Sequence, residues 1–323
     1  MSSASPSVPV RIVRFLGDYP VIPLLILLVL LVGTLEYMRP GIVNERWVAN
    51  TIKFAIPLAM LAACQTLTMF TGGIDLSAGI VATIVAFVMA TQTPLIGVPG
   101  AIALSLVPAL LIGLVNGFGV AFANVHPLIM TLGTGLVGTG FLQVYQRMVI
   151  ATGSEIPEIL AWLGTGRTWG FPNALVLFLP FAALIIFAQS RTGFGRLLFA
   201  LGSNQNAARL SGVRAWQVTL ALYVLSALIA GITGLLYVGL IKAPSLSLAA
   251  PLLLPSVAAA VVGGTSIFGG RGSYTGTIVG AIILTVLGTL LTLIQMPEGA
   301  RRILYGAIIL VVTAIYVRLT DQR

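Results

Sequence analysis

Apolar stretches long enough to cross a bilayer follow one another along nearly the whole chain, and most of the charge lies in the short segments between them. The stretch VIPLLILLVLLV at 21–32 carries no charged residue at all. Such a chain cannot cover itself with polar groups: 58% of its 323 residues are hydrophobic and 8% charged, where a soluble domain carries roughly 25% charged. A bilayer accepts that surface and demands only that backbone groups be paired inside helices or a closed barrel. The apolar runs are continuous rather than alternating, so helices are expected.

At about 20 residues per crossing, spans are expected near 19–35, 51–71, 77–92, 99–123, 127–146, 172–190, 216–241, 250–268, 274–295 and 301–318. The fold class is all-α: a polytopic integral membrane helical bundle of about ten transmembrane helices. Gly and Pro interrupt it at 72–79 and 263–276, where broken or re-entrant segments are expected because freed backbone groups can be satisfied inside protein. One transmembrane domain, 19–318, lies between a Ser- and Pro-rich N-terminal tail, 1–18, and a C-terminal tail, 319–323. Arg11 and Arg14 precede the first span with no small-residue cleavage site, which reads as a retained anchor.

The net charge of +9 is scattered at span ends, the pattern of membrane-surface anchoring and not of nucleic-acid binding. Ten spans put both termini on one side. The balance of Lys and Arg between the two sides is close to even, but 191–215 carries Arg191, Arg196, Arg209 and Arg214 with no acid. The opposite segments mix Arg with Glu36, Glu45, Glu155, Glu158 and Glu298. Both termini and 191–215 are therefore expected in the cytoplasm.

No catalytic constellation is visible: no Ser beside a His, no carboxylate pair within a span, no cysteine pair. The single Cys64 reads as packing and the single His126, beside Pro127, as structural, so no metal site is expected. Lys53 and Lys242 are the only lysines and neither sits in a GxxxxGK[ST] loop, so the chain has no such site for ATP.

Asp75 is an ionisable group between two apolar runs, a functional or strongly structural position by default. Capping of the helix that begins near Ser77, or pairing with an Arg at the membrane face, is the preferred account. The segment 191–215 reads as a connecting loop holding a short helix from Asn204 to Leu210, started by a good capping residue and stopped by Gly212. A helix this short is marginal alone and is expected to dock on something. Four-residue pairs such as Gly113 with Gly117 and Gly276 with Gly280 are expected to let helices approach closely. Thr66, Thr68, Asn116, Thr131 and Gln143 are polar within apolar spans, and helix-to-helix hydrogen bonds explain them better than a lining role. Gly72-Gly73 followed by Gly79 matches Gly269-Gly270 followed by Gly276, a sign of internal duplication.

Three motifs, TGGIDLSAG at 71–79, GSNQNAARLSGV at 202–213 and VVGGTSIFGGRGSYTGTIVGA at 261–281, give the chain a resemblance to the permease subunits of bacterial ATP-binding-cassette sugar importers of the ribose, xylose, arabinose and galactose type. That broad family also includes branched-chain amino acid permeases. The resemblance implies that Gly202, Asn204, Ala207, Ala208, Ser211 and Gly212 form a coupling helix gripped by a separate ATPase subunit on the cytoplasmic side. It assigns structural or gating roles to Gly72, Gly73, Asp75, Ser77, Gly79, Gly263, Gly264, Gly269 and Gly270. It further implies no catalytic residue and no cofactor on this chain, ATP being used by the ATPase. The other partners are a periplasmic substrate-binding protein, a second permease copy, identical or a sister, and the lipid of the bacterial inner membrane. The expected cargo is a monosaccharide. Branched-chain amino acids, nucleosides or furanone signals are the alternatives within the family, and a secondary carrier or channel the alternative outside it, with Asp75 as its one coupling residue.

Overall fold

The computed structural model of the chain describes residues 21–149 and 153–321, and from residue 315 onward the backbone alone. The tail at 1–18, with Arg11 and Arg14, lies outside the described residues. Helices follow in order as α1 (Val21–Met38), α2 (Glu45–Phe70), α3 (Ala78–Ala121), α4 (Pro127–Val149), α5 (Glu158–Thr165), α6 (Ala174–Arg191), α7 (Gly193–Ser203), α8 (Gln205–Leu210), α9 (Ala215–Ile241), α10 (Ala250–Val262), α11 (Tyr274–Leu293) and α12 (Glu298–Asp321). Seven of them, α1, α2, α3, α4, α6, α9 and α11, are long and apolar enough to cross a membrane. The 44 residues of α3 would span about 66 Å as one rod, twice the hydrocarbon thickness, and the chain turns inside it at Gly97, whose φ of 73° only glycine adopts readily. Pro94 and Pro99 flank the turn, so α3 is two crossings, matching the two expected spans.

The span expected at 250–268 is shorter than a crossing. α10 stops at Val262 after 13 residues, about 20 Å, and 263–273 is a loop that returns to α11, a broken segment of the kind expected there. The C-terminal tail expected from residue 319 is still helical to Asp321 in α12. Between α4 and α6 the sequence carried no expectation of structure; α5 lies there on α9, followed by a two-residue hairpin that pairs Arg167 with Pro172 and Thr168 with Phe171.

α9 packs along α3 more extensively than any other pair, and α2 packs against α9, α10 and α11. Every residue of α2 from 55 to 70 is buried, as a helix apolar on all sides must be. α1 buries only Leu35 and exposes Val29, Leu30 and Ile26, an outer helix turned to lipid. The glycine pairs do what their spacing implies. A Cβ at Gly113 would meet the Tyr223 carbonyl and Val224 Cα of α9 at 2.9 Å, and one at Gly117 would meet Leu220 Cα at 2.9 Å. Gly276 and Gly280 of α11 face the carbonyl oxygens of Gly263 and Ala259.

Both helix breaks end in the same way. At the end of α2, Gly72 (φ 78°) donates its N–H to the Met69 carbonyl at 2.9 Å and Gly73 to that of Thr68 at 3.0 Å. At the end of α10, Gly264 (φ 88°) donates to Val261 at 3.0 Å and Thr265 to Ala260 at 2.9 Å. These are Schellman closures, which satisfy the orphan carbonyls of a helix end through a left-handed residue. The counterpart of Gly72 is thus Gly264, not Gly269 as the spacing of the glycine pairs suggested; the glycine run at 269–272 makes a further bend of its own.

Gly276→Ala puts a methyl against a backbone carbonyl that cannot swing away, and such overpacking costs roughly 1–3 kcal/mol. It should lower the unfolding temperature of the detergent-solubilised protein in fluorescence-detected size exclusion, while Gly133→Ala, whose Cβ has nothing within 4 Å, should leave it unchanged. Equal behaviour of the two variants would refute the close α10–α11 approach.

Candidate functional site, a polar helix break and a short exposed helix

Asp75 follows the first helix break at 1% exposure. Its Oδ1 accepts the Ser77 N–H at 3.0 Å and the Ser77 hydroxyl at 2.6 Å, and its Oδ2 accepts the Ser226 hydroxyl of α9 at 2.6 Å. Gln65 of α2 clasps the backbone of the same residue, its Nε2 donating to the Asp75 carbonyl at 2.9 Å and its Oε1 accepting the Asp75 N–H at 3.2 Å. The carboxyl therefore holds Ser77, the N-cap residue just before α3, by its amide and hydroxyl, next to the helix start where a cap was expected. The Arg pairing offered as an alternative is not what the structure shows: among the described residues the ion pair found is the exposed Arg302–Glu298.

The polar cluster continues outward from Ser77. Asn116, in the second half of α3, donates to the Ser77 hydroxyl at 2.9 Å and accepts Thr134 of α4 at 2.6 Å. Thr131 of α4 donates to the Ile74 carbonyl at 3.1 Å and accepts the Leu76 N–H at 3.0 Å. Thr66 meets Thr277 of α11 at 2.8 Å, and Thr68 turns back onto the Cys64 carbonyl at 2.9 Å. Thr66, Asn116 and Thr131 thus bond between elements as expected, whereas Thr68 bonds back within α2 and Gln143 is exposed on α4, so neither of these two makes the expected helix-to-helix bond. Cys64 is buried with its Sγ donating to the Ser226 carbonyl at 3.2 Å. His126 takes the Leu128 N–H on Nδ1 at 3.3 Å, and no cluster that could hold a metal is found among the described residues.

α7 and α8 form the rest of the site. Thr192 caps α7 and Asn204 caps α8, its Oδ1 accepting the Ala207 N–H at 3.0 Å. Gly212 (φ 85°) ends α8 in a third Schellman closure, with Gly212 bonded to Arg209 and Val213 to Ala208. This is the short helix expected from the sequence. Its faces differ from the expectation in one respect: Ala208, read as a residue for a partner to grip, is buried at 7% exposure in the chain's own core, while Leu210 stands 91% exposed. A six-residue helix with Ala at 4 and Leu at 6 gives no periodicity from which to tell the inward from the outward residue, so only the packing decides it. Gln205, Asn206, Ala207, Arg209 and Ser211 are exposed beside Leu210.

The three motifs meet at the last turn of α7. A Cβ on Gly202 would run into the Phe70 carbonyl at the end of α2 and the Gly270 N–H. Gly270 donates that N–H to Phe70 at 3.0 Å. Gly269 (φ 90°) lies against the Gly202 carbonyl and the Gly72 nitrogen, and Gly270 against the Ser203 hydroxyl. Gly73 approaches the Tyr223 hydroxyl of α9 and Pro127 of α4, and Gly79 approaches Leu253 of α10. A single turn of backbone thus joins the short helix to both breaks, and the Asp75 carboxyl ties the first break to α9.

Ser226→Ala removes one donor and should cost about 1 kcal/mol, whereas Asp75→Ala leaves an amide and two hydroxyls unpaired and should cost about 3 kcal/mol or more. Thermal unfolding of the two variants in detergent should show clearly unequal shifts. Equal shifts would mean that the carboxyl is not the centre of the cluster.

The model of the family described as the branched-chain amino acid transport system permease component matches residues 47–313. The chain is 31% identical to the probable ABC transporter permease protein YphD of Escherichia coli (strain K12) over 93% of this chain and 90% of that one. It is 30% identical to the ribose import permease protein RbsC of the same organism, over 88% and 90%, and 31% identical to the fructose import permease protein FrcC of Rhizobium meliloti, over 80% and 74%. No solved structure matches the chain. With its helical bundle, its two broken helices and the match along most of its length, the chain belongs to the branched-chain amino acid transport system permease family, and is an ABC importer permease.

Proposed function

We propose that this permease carries a neutral sugar across the bacterial inner membrane, receiving it from a periplasmic binding protein and driven by a separate ATPase docked on α8, with a second permease copy completing the pathway. The observation that carries the reading is α8 itself: a doubly capped helix with an exposed apolar tip, anchored to both helix breaks through Gly202. Exposed Leu210 costs free energy in water and serves as the knob for a groove in a partner. Ala208 and Gly202 are small because the permease packs on them, so a push on α8 passes directly to the backbone of α2 and of the 263–273 loop. ATP is bound and split in the ATPase, and this chain contributes no catalytic residue and binds no cofactor.

The α8 face is assigned to the cytoplasm, with both termini. Arg191, Arg196, Arg209, Arg214 and Arg271 are all exposed there, as the positive-inside rule requires. Sugar is favoured as cargo because the ribose and fructose import permeases are among the relatives; an amino acid, named in the family description, is the competing solute. The Asp75 carboxyl is fully engaged by hydroxyl and amide donors, which argues against its use as the coupling residue of a secondary carrier.

Purification of the tagged chain from its host, with mass spectrometry of what accompanies it, should return an ATPase with phosphate-binding loops. Leu210→Asp should lose it, since an interface hot spot is worth about 2 kcal/mol, roughly thirtyfold in affinity, while the permease still elutes as the wild type does. Ala208→Trp should instead lower the stability of the permease itself. Retention of the ATPase by Leu210→Asp would overturn the docking role of α8, and transport by the lone chain in liposomes without ATP would overturn the importer reading.

A further inference from the structure

At the end of the bundle opposite α8, an open cleft of about 570 Å³ runs between the first turns of α2, the end of α9, α10, the last turns of α11 and the start of α12. It follows α2 from Trp47 to Leu58, about 16 Å at 1.5 Å per residue, which is the depth of one leaflet of the hydrocarbon core. Leu58 and Leu284 are buried at its floor. The Ala59 carbonyl beside them holds the fully buried Tyr274 hydroxyl at 3.0 Å.

Below its rim the wall is mainly apolar, with Phe54, Leu252 and Pro255 above the two leucines. Thr285, Thr289 and Thr292 also line it, and each spends its proton on a carbonyl four residues back, at 2.8, 3.2 and 2.8 Å. The rim is basic. A second hollow of about 510 Å³, lined by Arg39 and Arg46, shares Trp47 and Asn50 with the cleft, so the two adjoin. Arg167 of the hairpin reaches the same point, its Nη2 donating to the Asn50 Oδ1 at 2.7 Å. Arg301 lines the cleft from α12, with its Nε on the Met296 carbonyl at 3.0 Å. Among the described residues none of these four arginines forms an ion pair. The acids nearby are otherwise engaged or placed. Glu298 takes Arg302 at 3.3 Å, both oxygens of Glu36 accept backbone amides, from Gly41 at 2.6 Å and Val43 at 3.0 Å, and Glu45 stands in the first turn of α2, where an acid suits the helix start.

We propose that the cleft and its basic rim are a site for one anionic phospholipid of the leaflet on that side, its phosphate among Arg39, Arg46 and Arg167 and an acyl chain laid down the cleft along α2. A cleft one leaflet deep with an apolar floor matches a chain that ends at mid-bilayer. Entering it brings the chain little hydrophobic gain, because the lipid it leaves is as apolar as the wall. The preference therefore rests on the headgroup. Arginine forks take phosphate oxygens in pairs, and unpaired arginines at a membrane face favour anionic over zwitterionic lipid. A phosphate held there joins the end of α1, the start of α2 and the hairpin before α6. The site is independent of the cargo and of the importer reading, and goes beyond both.

The test titrates the full chain, delipidated in detergent, with palmitoyl-oleoyl phosphatidylglycerol or with phosphatidylcholine of the same chains, and reads bound lipid by native mass spectrometry. One phosphatidylglycerol should bind ahead of the rest and more tightly than phosphatidylcholine. Arg39→Gln and Arg46→Gln should each weaken it about fivefold, the worth of one arginine beside anionic lipid. Arg191→Gln, on the α8 face, should leave it unchanged. Thr289→Trp, which fills the cleft and spares the rim, should lose the lipid, and inorganic phosphate should not displace it from the wild type. Elution volume shows whether each variant keeps its fold; should Thr289→Trp not elute as the wild type does, the arginine variants decide. Equal affinity for the two lipids would overturn the site. Equal weakening by Arg191→Gln would reduce it to diffuse surface attraction, and displacement by phosphate would reduce it to an anion site without a chain; either result overturns it. Lipid retained in full by the double Arg39→Gln, Arg46→Gln variant would also overturn it, and would leave those arginines for an acidic protein face. Copurification of an ATPase, which tests the importer reading, should be unaffected in every variant that folds.

Discussion

A helix that stops inside an apolar bundle must close its own hydrogen bonds, and the rest of this structure is arranged around two such stops. Where α2 and α10 end, the last carbonyls would face hydrocarbon or packed side chains, an arrangement costing several kcal/mol per unpaired group. Gly72 and Gly264 answer this with left-handed closures, and the amides that follow find Gln65, Thr131 and Asp75. The Asp75 carboxyl is the strongest acceptor in reach, and it serves an amide and hydroxyls from two elements at once. A neutral side chain of similar size offers fewer lone pairs, so the break and the carboxyl belong together.

The second constraint is distance of approach. Lipid provides no hydrophobic drive between helices, so contact area and backbone proximity must do that work. Gly202, Gly263, Gly269 and Gly276 allow main chain to lie on main chain where α2, α7, α10 and α11 meet. Backbone is stiffer than side chain, and a junction made of it transmits displacement with little loss. α2 carries Trp47 at one end of the bundle and Phe70, against Gly202 of α7, at the other.

Much of this was legible in residues. Sustained apolar runs announced a helical membrane bundle, the interruptions at 72–79 and 263–276 announced broken helices, and Asn204 with Gly212 bounded α8 to within a residue. Small-residue spacing correctly marked close helix contacts. Of the polar residues assigned to helix-to-helix hydrogen bonds, Thr66, Asn116 and Thr131 make bonds between elements, while Thr68 bonds within α2 and Gln143 is exposed.

The sequence by itself determined that this protein lies in a membrane as a helical bundle, where its helices break and where the short capped helix α8 lies. These are local properties, set by hydropathy over about twenty residues and by the conformational preferences of single glycines and caps. Tertiary structure alone decided that Gly264 and not Gly269 answers Gly72, that Asp75 finds Ser226 rather than an arginine, and that Ala208 turns inward while Leu210 turns out. The Asp75 carboxyl finds Ser226 across 151 residues of chain, and that choice is made by packing the whole bundle, not by any segment of it.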